Sequence, residues 1–197
     1  MNTHYLTMEE KYFEGETFNK INFTKNQLEK GEYEDCQFID CDFSNSSFIN
    51  IRFVDCRFQG CNLSMVNLNG TALRDISFEN CKMLGLRFEN CNKFFLSVNF
   101  NHCMLNHSSF YQTKIKTTSF KNTQLHETDF TEADLSASIF ENCDLSGAIF
   151  DNTNIEKADF RSAFNYIIDP ENNRIKKAKF STSGLGGLLL KYDIEIE

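Results

Sequence analysis

Eight cysteines and four histidines are the most chemically versatile residues of this 197-residue chain. Thiols can pair as disulfides or ligate a soft metal, and imidazoles can join them as ligands or act as bases. The spacing supports none of these uses. CxxC is absent, and His4, His102, His107 and His126 form no triad or ligand pattern. Gly184-Leu185-Gly186-Gly187 follows no strand of a βαβ unit, so it is not a phosphate loop. No metal, no cofactor and no catalytic residue is expected, and the chain reads as a non-enzyme.

The cysteines have a different regularity. Cys36, Cys41, Cys56, Cys61, Cys81, Cys103 and Cys143 each stand two residues before a large apolar residue. Those apolar residues recur every five positions. Sixteen run without a miss from Phe13 through Phe38, Phe58 and Phe78 to Phe88. The register then slips by two. Fourteen more run from Phe95 through Phe120 and Phe140 to Phe160, and Ile175 and Phe180 keep that register. Of 21 Phe, 19 sit at these centres, Phe94 and Phe164 being the others, and there is no Trp. The position two before each centre is small or medium, as in Thr113, Thr118, Thr123, Thr128 and Ala133, and the remaining three are mostly polar.

A period of five fits neither an α-helix, at ~3.6, nor a flat strand, at 2. Five is odd, so an unbroken strand would turn alternate centres outward. A bend in every pentad prevents this and leaves one small and one large side chain inside. Chains of this kind stack as a β-solenoid with coils ~4.8 Å apart. Each cysteine then occupies the small inward slot. Inward cysteines stacked on one ladder have parallel Cβ vectors, poor for disulfides. The cysteines read as small buried hydrophobes, with Cys91 in the same slot where the first register is lost.

The pentads Ala133-Asp134-Leu135-Ser136-Ala137, Cys143-Asp144-Leu145-Ser146-Gly147 and Ala158-Asp159-Phe160 resemble the A(D/N)Lxx motif of pentapeptide repeat proteins. The resemblance implies an all-β fold, a right-handed quadrilateral β-helix with four pentads per coil. Residues 13–180 hold ~34 pentads, hence about 8 coils and a rod of ~40 Å at the coil spacing. Residues 1–12 are expected to be an N-terminal cap or flexible segment. A two-residue insertion at 89–94 is expected to bulge, and 161–174 to form one irregular coil around Asp169-Pro170-Glu171-Asn172-Asn173, in which Tyr166, Ile167 and Ile168 still pack. Residues 181–197 read as a short capping helix opened by Ser181, Thr182 or Ser183, then a strand at Asp193-Ile194-Glu195-Ile196. A solenoid end must be covered. The same tail can dimerise, with Leu185, Leu188, Leu189, Ile194 and Ile196 as interface candidates.

Hydrophobic residues are 41% of the chain and net charge is −8, which excludes a disordered tail and argues against direct nucleic-acid binding. No apolar run reaches the ~18 residues of a membrane span, and Met1 to Tyr12 lacks the apolar core of a signal peptide, so a cytoplasmic protein is expected. Charge is segregated. Arg74 to Lys121 is +4. His126 to Phe160 is −8, carrying Glu127, Asp129, Glu132, Asp134, Glu141, Asp144, Asp151, Glu156 and Asp159 against Lys157 alone. Assigned to sides, these acids form a belt around the rod. Two readings stay open. One is a solvated surface on a structural or protein-interaction module whose partner is unknown. The other follows from a narrower resemblance, in the Leu-rich tail and the adjacent belt, to the loop-poor branch of the bacterial Qnr-type quinolone-resistance proteins. That resemblance implies a homodimer joined through its C-termini, a rod like B-DNA in shape and charge, and action on the type II topoisomerases DNA gyrase and topoisomerase IV. The longer loops that protect gyrase in Gram-negative members are absent here.

Overall fold

The computed structural model describes residues 11–94 and 96–195. Eleven short strands, β1 to β11 in chain order, lie among them, and every pairing is parallel. One side stacks β1 (Lys11–Glu14), β3 (Gly31–Glu34), β5 (Arg52–Val54) and β7 (Ala72–Arg74). The next stacks β2 (Thr17–Asn19), β4 (Gln37–Ile39), β6 (Arg57–Gln59), β8 (Ile76–Glu79), β9 (Val98–Asn101), β10 (Ser119–Lys121) and β11 (Ile139–Glu141). The other two sides are held by single bridges, such as Asn22 to Asp42 to Asn62 to Lys82 and Ser109 to Asp129 to Ile149. Seven rungs of regular strand enclose about six full coils, slightly fewer than the eight expected. Beyond Glu141 the ladder continues through the bridges Ile139 to Asp159 to Lys179.

The bend demanded by the odd period lies two residues after the centre. There the chain turns left-handed, as at Asp40 (φ 51°), Asn80 (φ 52°) and Gly147 (φ 69°). The centre's carbonyl then accepts from the N–H three residues on, for example Ser46 to Phe43 at 2.9 Å and Ala148 to Leu145 at 2.9 Å. Asn, Asp and Gly tolerate this conformation best. At Gly60 a Cβ would lie 2.3 Å from the Asp40 carboxylate of the coil before, so any side chain there would have to displace it.

The second side has Phe at every centre. Phe18, Phe38, Phe58, Phe78, Phe100, Phe120, Phe140, Phe160 and Phe180 form one column of stacked rings, with centroids 4.5 to 5.4 Å apart. Stacking at this distance adds ~0.5–1.5 kcal/mol per pair to the burial of each ring. The inward small position proves to be a hydrogen-bonding position. Thr71, Thr128 and Thr153 donate to the carbonyls of Phe48, Leu105 and Phe130. Cys61 and Cys143 donate to Phe38 and Phe120 at 3.3 Å. All eight cysteines are free and buried. Burial pushes the thiols of Cys56, Cys91 and Cys143 up to about 12.

The insertion shifts pairing from 20 to 22 residues, as in Phe58 to Phe78 and then Phe78 to Phe100. A 3-10 turn over Phe88–Asn90 leads into it, and Cys91 stays buried. Phe95 lies outside the described residues. In the irregular coil, Tyr166 and Ile168 are buried but Ile167 is 56% exposed, against the expectation that all three pack. Ile167 lies between two inward-turned neighbours, so it must face out. Asn173 takes the inward slot, accepting from the Thr153 N–H and donating to the carbonyls of Phe150 and Asp169.

Residues 1–10, where Tyr5 and Leu6 were candidates for an end cap, lie outside the described residues, and β1 already includes Lys11 and Tyr12. At the other end the cap is a 3-10 turn (Thr182–Gly184), then α1 (Gly186–Leu189) and another 3-10 turn (Leu190–Tyr192). The Ser181 hydroxyl accepts from the Gly184 N–H, so Ser181 is the N-cap. A Cβ at Gly187 would lie 2.1 Å from the Tyr166 carbonyl, so glycine lets the cap sit against the irregular coil. Lys191 ties the two together, 2.7 Å from both Asp169 and Glu171. Asp193, Ile194 and Glu195 form no strand, contrary to their alternation. Asp193 turns left-handed (φ 51°), and the segment has no ladder partner among the described residues.

Candidate functional site

The nine belt acids occupy three kinds of pentad position. Asp129, Asp134, Asp144 and Asp159 stand just before a centre, one on each side of the rod. Each accepts from the N–H two residues on, that of Thr131, Ser136, Ser146 and Arg161 respectively, at 2.9 to 3.2 Å. These four carboxylates therefore brace the corners as well as carry charge. Glu141, Asp151 and Glu156 follow a centre, and Glu127 and Glu132 sit on left-handed corners. The nine acids lie on all four sides of the rod.

Six of the nine also meet a cation or a histidine of this chain. Lys116 lies 3.2 Å from Asp134, Lys121 3.2 Å from Glu141, and Arg174 2.9 Å from Glu156. Arg161 lies 2.7 Å and Lys179 3.8 Å from Asp159. His107 lies 3.2 Å from Glu127, and His126 2.9 Å from Asp144. The Arg161 hydrogen bond holds the Asp159 carboxyl below the ordinary range. For Asp134 and Asp144 burial pushes upward, but the bonds from Ser136 and Lys116, and from Asn165 and His126, outweigh it and lower both. Asp129, Glu132 and Asp151 have no ion pair with a cation among the described residues.

These partners were missed from sequence, although a signal for them exists. Most pairs are 18 or 20 residues apart, one coil in this fold. Opposite charges at that separation are neighbours once the four-sided coil is known.

The interface candidates divide. Leu185 is 44% and Ile194 55% exposed, and Leu190 and Tyr192 join them at the surface. Leu188 packs against the interior and Leu189 is half-buried. Leu188 thus serves the cap. Ile196 lies outside the described residues.

No group of three or more His, Cys, Asp or Glu among the described residues could hold a metal ion. No described helix is long and apolar enough to cross a membrane. The family model of the pentapeptide repeat region matches residues 31–93 and 85–160. The chain belongs to the pentapeptide repeat family. No curated protein matches this pentapeptide repeat protein. Among solved structures it is similar to a trypsin-treated variant of QnrB1, a plasmid-mediated fluoroquinolone resistance protein, with TM-score 0.75 and 17% identity over 95% of this chain and 92% of that one. A second trypsin-treated variant gives TM-score 0.63 and 15% identity over 95% and 100% of the two chains. Full-length QnrB1 gives 0.63 and 15% over 93% and 100%. At such identities the likeness is one of fold, a right-handed quadrilateral β-helix.

Proposed function

We propose that this pentapeptide repeat protein is a non-enzymatic acidic rod that mimics DNA and binds a type II topoisomerase, DNA gyrase or topoisomerase IV, in the cytoplasm. In this reading it is a homodimer joined through its C-terminal caps, and it modulates quinolone susceptibility. The observation that carries the proposal is the distribution of the nine acids from Glu127 to Asp159 over all four sides of the coils next to the cap. A duplex likewise presents negative charge around its whole circumference. Leu185, Leu190, Tyr192 and Ile194, exposed together in the cap, are an apolar surface suited to a second copy.

One observation favours the second reading, a protein-interaction module with another partner. Four of the nine acids already have a lysine or arginine beside them, which weakens the outward field. The deciding experiment is a gyrase pull-down with a supercoiling assay, run with and without a fluoroquinolone. Binding at micromolar concentration with altered supercoiling supports the topoisomerase reading. Absence of both leaves the interaction-module reading.

A further inference from the structure

The insertion presents a surface unlike the rest of the rod. Phe94 is 89% exposed, more than any other described large apolar side chain. It is not on a loose loop. The Asn92 N–H donates to the Thr71 carbonyl and the Ser97 N–H to the Leu73 carbonyl, both at 2.8 Å, so the segment is pinned at each end to the coil before. The Ser97 hydroxyl also donates to Asp75 at 2.8 Å, and the Phe94 N–H to the Asn92 side chain at 3.1 Å. The backbone at Asn92, Phe94 and Ser97 is thus anchored, which lowers the entropy cost of using the exposed ring in binding.

Two hollows flank it. One of about 510 Å³ is lined by Arg74, Lys93, Phe94, Leu96, Lys114 and Lys116, with Asp75. The other, of about 210 Å³, shares Lys93, Phe94, Leu96 and Lys114. Four cations thus surround one apolar anchor on a chain of net charge −8. Lys116 is engaged by Asp134, and Arg74 lies 3.7 Å from Asp75. Lys93 and Lys114 form no ion pair among the described residues. Acids bound the patch along the same side, with Glu32 and Glu34 towards one end and Asp134 towards the other. The gap between these acids spans the rungs from Arg52, which is ion-paired with Glu32, to Lys116, ~15–20 Å at the coil spacing, or about six residues of extended chain.

From these features we infer that the Phe94 patch docks a short acidic segment of a partner protein, with an apolar side chain of that segment set against Phe94 and its carboxylates on Lys93 and Lys114. Charge complementarity selects the occupant. A nucleic acid strand long enough to bind tightly would run into the acidic rows on both sides, whereas a segment of about six residues fits between them. The site is separate from the acidic belt and independent of the topoisomerase reading.

The test is fluorescence anisotropy with the full chain and a labelled hexapeptide, Asp-Glu-Leu-Phe-Glu-Asp. Saturable binding is expected with Kd on the order of 10–100 μM at low salt, weakening severalfold in about 0.5 M NaCl. Phe94→Ser and the pair Lys93→Glu with Lys114→Glu are each expected to weaken it at least about tenfold, with far-UV circular dichroism and Tm unchanged because all three side chains are exposed. Replacing the central Leu-Phe of the peptide by Ser-Gly is expected to do the same. The proposal is overturned by no saturation at about 1 mM peptide, by variants that bind as the parent does, by an octanucleotide binding equally well, or by sedimentation placing a second copy on the patch. Gyrase supercoiling measured on the same variants separates the two readings, since altered peptide binding with unaltered supercoiling leaves the topoisomerase proposal standing.

Discussion

Phe94 and Phe100 are six residues apart and differ completely in fate. Phe100 is 1% exposed, stacked between Phe78 and Phe120, while Phe94 is 89% exposed. The regular coils and the breaks differ in the same way. In the coils a side chain's position in the pentad settles whether it is buried. In coil 161–174 position no longer decides. Asn165 stands at a centre and faces out, and Tyr166, one place later, is buried in its stead. The repeat therefore acts through registration. A residue gains the hydrophobic and stacking energy of the interior only when the bend two residues after each centre keeps the count of five.

The largest expected effect tests that contrast directly. Phe120→Ala removes a ring from the nine-membered column and should cost ~3–5 kcal/mol by urea denaturation, whereas Phe94→Ala should stay within ~0.5 kcal/mol. Equal losses would mean that the column is not the source of stability. Asn173→Ala should cost ~2–3 kcal/mol, since it strands the buried Thr153 N–H and two carbonyls. A neutral result would show that the irregular coil contributes little to folding.

Smaller effects sharpen the reading of the inward slot. Cys61→Ala should cost ~1 kcal/mol and Cys61→Thr less, because threonine makes the same donation at Thr71 and Thr153. If alanine is tolerated as well as threonine, the slot asks only for small size. The smallest effect comes from acid. Asp134, Asp144 and Asp159 have lowered folded-state values, so their stabilisation is complete above the ordinary aspartate value of 3.8 and is lost as pH falls through the lowered ones. Tm should drop between about pH 5 and pH 2, and by less in Asp159→Asn; an unchanged drop would assign the acid sensitivity to other groups.

Legibility followed the same division. The period of five implied the solenoid and the inward cysteines, both of which depend on local position. The family resemblance added the four sides, and with them the belt that encircles the rod. The pairing of Lys116 with Asp134 or His107 with Glu127 was not read, because which side chains of adjoining coils meet depends on their reach and rotamers as well as on the coil length. The cap was only half legible. Ser181 is the N-cap among the three candidates, but Leu188 packs inward while Leu185 is exposed, and Asp193 turns left-handed where alternation suggested a strand.

By itself the sequence determined which residues face the interior, since a period of five with a bend leaves one arrangement that buries the large side chains. Only the tertiary structure decided which outward charges neutralise one another, and that Phe94 is exposed among lysines. Those outcomes depend on contacts between coils about 20 residues apart and on two backbone bonds that pin the insertion, and neither is encoded in any single pentad.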